Sequence, residues 1–376
     1  MLRIITELEV TRLDHFLETL KNKALLPIRK KGYNKNWLSN EPGRRMILNS
    51  YQRVKAVLEG SEPDRIPLFE VWIDALYEEL EISNPLLAHP QLGQDVLLLP
   101  STSPAESKAW KDGVDEFGRI WSRGFYRDGA IKSAADLKRF SPPTAYAEKF
   151  FSEKATSLVK NSYPDHFPFF GTHIGPFMST YMAMGMDNMF CSLYEDISFV
   201  KAVMETRTKW CLAIFKEAVN LGAELIVMGD DAAHRGGPMI SPAVWEELVL
   251  PYHRKIVDEL PVPVIWHSDG RMDKLLPFAV QAGFAGIHGL EPPAGNSLAK
   301  ISQQYGNKLI LIGNVDVNLL CGSDQEAVSR DIDRCLEQGS SGRFMLSTSN
   351  SIFKGMNPRT VKAYFEEQKK CFSNPC

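Results

Sequence analysis

Leu260-Pro261-Val262-Pro263-Val264-Ile265-Trp266-His267-Ser268-Asp269-Gly270 is an apolar run that ends abruptly in polar residues. Residues 262–266 read as a fully buried strand, since a short apolar run bounded by turn residues suits the interior of a parallel sheet. A helix precedes it. That helix opens with Ser241 as N-cap and Pro242 in its first turn, and runs to about residue 260. Outward from here the same unit recurs. Helix 196–221 stops at Gly222 before strand 224–228. Helix 272–282 stops at Gly283 before strand 284–288. Helices 297–305 and 324–337 precede strands 308–312 and 344–346, and a last helix spans about 358–368. Strand candidates also lie at 66–70 and 167–171, whereas 85–130 is irregular, with long loops or a short hairpin.

Helix followed by strand, five or more times in succession, implies parallel strands joined by crossover helices. Over 376 residues this favours an α/β fold of the (β/α)8 TIM-barrel type. The runner-up is a doubly wound sheet, which would normally carry a glycine-rich phosphate loop after its first strand; no such loop is present. Residues 1–45 read as an N-terminal helical extension. It has helical apolar spacing from Leu8 to Leu20, then a basic arm broken by Pro27, Gly32, Pro42 and Gly43. A helix beginning near Met46 and ending at Gly60 opens the barrel domain, 46–376.

The bulk composition excludes several classes. Hydrophobic content of 44% and charged content of 24% suit a globular chain, and a net charge of −3 argues against nucleic acid as the main partner. No apolar run approaches the ~18 residues of a membrane span. Acidic residues enter the first ten positions too early for a signal peptide. Six cysteines without a CxxC pair fit reduced thiols in a cytoplasmic protein.

In a barrel the strand ends converge on one face, where barrel enzymes keep their chemistry. Here they supply Glu70, Asp230, Asp231, His267, Asp269, Glu291, Asn314, Asp316 and Asn350. So many carboxylates around one histidine point to a cation, either metal or substrate. The bland alternatives are a loop-tying role for His267, loop or helix caps for Asp230 and Asp231, and a solvated helix position for Glu246. His234, His253 and His288 read as structural. The stretches around Phe177, Met178 and Met182 read either as core or as an adaptable wall for a flat apolar substrate.

Several segments, in this order and spacing, resemble the uroporphyrinogen decarboxylase superfamily across about residues 46–370. They are Arg53 with Pro63-Asp64-Arg65-Ile66-Pro67, Asp115-Glu116-Phe117-Gly118-Arg119-Ile120-Trp121, Gly175-Pro176-Phe177, Gly229-Asp230-Asp231, Ile240-Ser241-Pro242, His267-Ser268-Asp269-Gly270 and Gly313-Asn314-Val315-Asp316. The resemblance implies a (β/α)8 barrel and either decarboxylation or zinc-dependent methyl transfer with a corrinoid protein. The arginine-rich amino-terminal segment of the decarboxylases is missing at residues 69–74. The His-x-Cys and later Cys of the thiol methyltransferases are missing too, since position 269 is Asp and 347–350 contains no Cys.

The chain is most similar to the corrinoid-dependent O-demethylase methyltransferases, one group of which carries an acid, a Glu and a His as zinc ligands. Asp231, Glu246 fifteen positions on and His267 twenty-one further correspond to them, with Asp in place of the first Glu. What this implies is transfer of a methyl group from a methoxylated aromatic to the Co(I) corrinoid of a partner protein, leaving a phenol. Zn2+ would sit on Asp231, Glu246 and His267, and Asp230 or Asp269 would serve as proton donor. Phe177, Met178, Met182 and Asn314 would bind the substrate. The corrinoid must come with the partner, because the chain has no Asp-x-His-x-x-Gly motif. Other methyl donors, a thiol, a metal-free decarboxylase or lyase, a barrel that only binds the corrinoid partner, and a homodimer all stay open at this stage.

Overall fold

The computed structural model describes residues 47–101, 112–115, 117–140, 147, 150–340 and 342–373. The extension expected at 1–45 lies outside the described residues. The strands in chain order are β1 (Val96–Leu98), β2 (Gly113–Val114), β3 (Arg119–Ser122), β4 (Phe125–Gly129), β5 (Phe167–Thr172), β6 (Ile226–Gly229), β7 (Ala233–His234), β8 (Gly237–Pro238), β9 (Val264–Ser268), β10 (Gly286–Gly289), β11 (Ile310–Val315) and β12 (Phe344–Thr348). Seven of them form one sheet in the order β1-β5-β6-β9-β10-β11-β12, every neighbouring pair parallel.

The segment around residues 66–73 closes this sheet into a barrel. Leu68 bridges Leu346 and Ile73 bridges Ile352, both in parallel. The Phe69 N–H donates to Leu346 O at 2.9 Å, and the Asp95 N–H donates to Leu68 O at 2.9 Å. The segment therefore lies between β12 and β1 as an eighth stave. Pro67 has no N–H to give, which helps keep that stave from a long ladder. The strands expected from residue 167 onward are all present and reach further toward the carboxyl end, whereas the run expected as a strand at 66–70 forms only the isolated bridge at Leu68. His267 and Asn314 lie within β9 and β11 rather than just after them.

Side-chain alternation divides the apolar residues into two layers. Phe69, Val96, Phe169, Val227, Ile265 and Met345 fill the barrel interior. Met228, Trp266, Ile287 and Leu346 point outward against the helices. The helix expected from Ser241 to about residue 260 is two helices, Pro242–Leu248 and Leu250–Glu259. Pro251 at the second position of the latter cannot donate to the preceding turn, so the helix breaks at Val249. Ser241 does cap its helix, accepting from the Val244 N–H. The irregular 85–130 region contains the antiparallel set β2-β3-β4. This meander rests on helix Pro176–Met184, with the Ile131 N–H donating to Ala183 O at 2.9 Å.

At the opposite end of the barrel, Asp95 is fully buried and accepts from Arg53, Arg65 and the Leu68 N–H at 2.6–2.8 Å. That network gives Arg53 and Arg65 a structural role. Among the described residues no helix is long and apolar enough to cross a membrane.

Candidate metal centre

His267 is the next inward position after Ile265 on β9, so its ring enters the barrel mouth and is fully buried. The β6–β9 register sets Gly229 opposite His267. Two residues on from each of these positions stand Asp231 and Asp269. His267 Nε2 lies 3.5 Å from Asp269 Oδ1 and 3.9 Å from Asp231 Oδ1. Donor atoms of the three residues all lie within 4.8 Å of one another. Hydrogen bonds hold both acids. The Asp269 N–H donates to Asp231 Oδ1 at 3.1 Å, and Asn350 Nδ2 donates to Asp269 Oδ1 at 2.8 Å. Glu291, at the end of β10, accepts from the Gly270 N–H at 2.9 Å and fixes the turn that follows Asp269.

The tautomer of His267 follows from its partners. His288 Nε2 lies 3.2 Å from Thr348 O, a carbonyl that can only accept, so this nitrogen carries the proton. Burial holds the His288 ring down at about 3, which keeps it neutral with a lone pair on Nδ1. That Nδ1 lies 2.8 Å from His267 Nδ1, which must therefore donate. His267 is also kept neutral, first by burial and then by its histidine neighbours. Its Nε2 is left with a lone pair aimed at the two carboxylates and with no hydrogen-bond partner. Burial first, and then neighbouring negative charge, pushes both Asp231 and Asp269 upward from the ordinary carboxylate range. An orphaned imidazole nitrogen beside two carboxylates that burial discourages from ionising is a site a dication would satisfy. The nitrogen–oxygen donor set suits zinc.

The other residues singled out in the sequence divide sharply. Glu246 is exposed on helix Pro242–Leu248 and is not brought into the group. Trp245 and Leu248 occupy that helix's inward face, three positions apart, which turns 246 toward solvent. Asp230 is buried and already engaged. Its carboxylate accepts from the Phe177 and Met178 N–H groups at the start of helix Pro176–Met184, and lies 2.7 Å from His253 Nε2. Phe177 is fully buried and packs edge-on against Trp245. Asn314 Nδ2 donates to Leu290 O at 2.8 Å, while its Oδ1 accepts from Arg334, so it ties the turn after β10 to helix Gln325–Gly339. Met178 and Met182 are half-buried.

Sequence reasoning gave His288 no site role, although its inward parity on β10 matches that of His267 on β9. It also overlooked His173, whose ring packs tilted against Trp72 at 4.2 Å and lies 5.3 Å from that of His267. Gly229 makes room for it, since a Cβ there would meet His173 Nδ1 at 2.6 Å. Among the described residues no cysteine belongs to the group.

Fold and site together define a (β/α)8 barrel with a candidate nitrogen–oxygen metal centre at the carboxyl ends of its strands. The chain belongs to the uroporphyrinogen decarboxylase (URO-D) family, whose sequence pattern matches residues 124–371. It is 25% identical over 276 residues to the methylated-thiol–coenzyme M methyltransferase of Methanosarcina mazei, covering 72% of this chain and 65% of that protein. With the methylcobamide:CoM methyltransferase MtbA of the same organism it shares 25% identity, over 67% of this chain and 73% of that one. The uroporphyrinogen decarboxylase of Trichodesmium erythraeum is 23% identical over 69% of the chain and 74% of its own length. A solved methyltransferase from Methanosarcina mazei superposes with a TM-score of 0.67 at 18% identity, covering 86% of this chain and 99% of that one, a likeness of fold.

Proposed function

We propose that this protein is a methyltransferase that takes a methyl group from an aryl methyl ether and passes it to the Co(I) corrinoid of a partner protein. Asp231, His267 and Asp269 would hold Zn2+. The observation that carries the reading is the buried, partnerless Nε2 of His267 facing two carboxylates. Family membership and the methyltransferase names of two relatives support the reaction class. The donor set favours an ether oxygen over a thiol, because a site without thiolate leaves a harder, more Lewis-acidic ion. Bound zinc would supply charge stabilisation for the departing phenolate oxygen.

The chain's own residues prepare that site. His288 keeps the His267 lone pair free, Asn350 orients Asp269, and the Asp269 N–H orients Asp231. Asp269 thus moves from proton donor to metal holder, and Asp230 from proton donor to helix cap. Two measurements test the reading. Purified protein should contain about one zinc per chain, as a site with three protein ligands holds one ion. With reduced corrinoid protein and a panel of methoxyarenes it should demethylate at least one. His267→Ala should lose both properties and keep the barrel fold. Full methyl transfer by metal-free His267→Ala protein would refute the proposal and leave a metal-free lyase as the reading to pursue.

A further inference from the structure

Glu70 lies on the closing stave and is fully buried. Its carboxylate accepts from the Tyr364 hydroxyl at 2.8 Å, the Thr348 N–H at 3.2 Å, the Ser347 hydroxyl at 3.3 Å and the Thr348 hydroxyl. Every one of these donors is neutral, so none offsets a full negative charge. Burial accordingly pushes the carboxyl up to about 7, against those four hydrogen bonds. The titratable neighbours hold one state across that range. Burial raises Tyr364, on helix Pro358–Ser373, and Cys335, on helix Gln325–Gly339. It lowers His288 on β10, and His89, which faces the Glu70 backbone. Glu70 is thus the member of this cluster that changes charge near neutrality.

The Ser347 hydroxyl joins this carboxyl to the candidate metal centre. Its oxygen lies 3.4 Å from His288 Nε2, whose proton is shared with Thr348 O at 3.2 Å. The links all donate the same way: His267 Nδ1 to His288 Nδ1, His288 Nε2 to Ser347 Oγ, and Ser347 Oγ to Glu70 Oε1. A cation on His267 Nε2 strengthens each donor in turn, and a negative charge on Glu70 strengthens each acceptor. The two charges therefore favour each other along the chain. We propose that Glu70 is a positioning residue of the metal site, which yields its proton to solvent when a dication binds His267 Nε2 and then, as carboxylate, tightens the metal's hold through Ser347 and His288. The inference rests on the metal reading above and deepens it. A carboxylate set this far back adds charge to the site without taking a coordination position, so the position a substrate needs stays open.

The test is calorimetric titration of the metal-free full chain with Zn2+, in two buffers of different ionisation enthalpy, so that affinity and proton release are read together. Glu70→Gln is an isostere of the protonated acid. Wild type and this variant should bind Zn2+ almost equally near pH 5.5, where Glu70 holds its proton. Wild type should pull ahead as pH rises through about 7, reaching about 10-fold by about pH 8.5, the lower end of the range for a partner behind a ligand histidine. At about pH 7 it should release about 0.4 more protons per zinc than the variant. Protons displaced from Asp231 and Asp269 are common to both proteins and cancel in the comparison. Should Glu70→Gln fail to fold, Tyr364→Phe removes one donor to the carboxylate and raises it further, so that variant should release more protons per zinc than wild type at about pH 8. Equal proton release by wild type and Glu70→Gln, an affinity gap that is the same at every pH, or unchanged release in Tyr364→Phe overturns the linkage and leaves the metal site standing. Failure of wild type to bind Zn2+ at any pH sinks the metal reading and the linkage with it.

Discussion

His288 should control zinc affinity without touching the metal. The structure gives the chain of cause: Thr348 O accepts from His288 Nε2, and His288 Nδ1 accepts from His267 Nδ1 at 2.8 Å, which leaves His267 Nε2 free to ligate. His288→Leu keeps similar bulk and removes the acceptor. The buried His267 ring then either leaves an N–H unsatisfied, at about 1–3 kcal/mol, or shifts its proton to Nε2, where it blocks the lone pair. Either outcome reduces metal affinity, and loss of a partner that orients a ligand histidine typically costs ~10–100-fold. That corresponds to about 1.4–2.8 kcal/mol. His288→Asn should recover most of the loss, since its Oδ1 can stand where the imidazole Nδ1 stood. The assay is competition for zinc against a chromophoric chelator, run on wild type and both variants. Wild-type affinity in His288→Leu, or an Asn variant as weak as the Leu one, would refute the tautomer argument.

Four further outcomes follow from the same geometry. Glu246→Gln should leave zinc content and turnover within about 2-fold, as for most exposed positions, whereas Asp231→Asn should lose zinc; metal analysis of the pair separates the ligand sets. Asp230→Asn should cost about 2–4 kcal/mol in chemical denaturation, because it weakens a buried carboxylate bound to two helix N–H groups and His253, yet zinc should still bind. Zinc affinity should fall as pH drops through neutrality, since protons compete for Asp231 and Asp269, whose carboxyls are both raised; a pH-independent affinity would rule these acids out as ligands. Burial pushes Glu70 up to about 7 from 4.5, against hydrogen bonds from Thr348, Tyr364 and Ser347. Between those values the folded state holds a proton that the unfolded chain has lost. Glu70 should therefore lower stability by about 3 kcal/mol as pH rises from 4.5 to 7, a slope that denaturation curves should find missing in Glu70→Gln.

The barrel was legible because helix stops and buried strands alternate at nearly every step from Gly222 to Ser347. The closing stave was visible as the apolar 66–70 run, but not its partner β12, which lies almost 280 residues away. The candidate centre was half legible. Strand-end position put Asp231, His267 and Asp269 among nine polar residues, while the set Asp231, Glu246 and His267 was carried over from the ligand spacing of the resemblance. Spacing along the chain says nothing of helix rotation, and the burial of Trp245 and Leu248 turns Glu246 outward. The relay through His288 could not be read at all, since it requires the strand register that sets His288 beside His267.

Strand parity nonetheless accounts for much of the division of labour, and it separates adjacent acids that composition cannot. Val227 and Ile265 face the barrel interior, whereas Met228 and Trp266 face the helices. Continuing the alternation places 229, 231, 267 and 269 on the inward side and 230 on the outward side. Asp231, His267 and Asp269 accordingly meet at the mouth, and Asp230 turns to cap helix Pro176–Met184 and meet His253. The cap in turn seats the helix that carries Met178 and Met182. A one-residue slip of β6 against β9 would exchange these positions and separate the three side chains. The pairing of Gly229 with His267 therefore fixes the candidate site as firmly as the identity of its residues does.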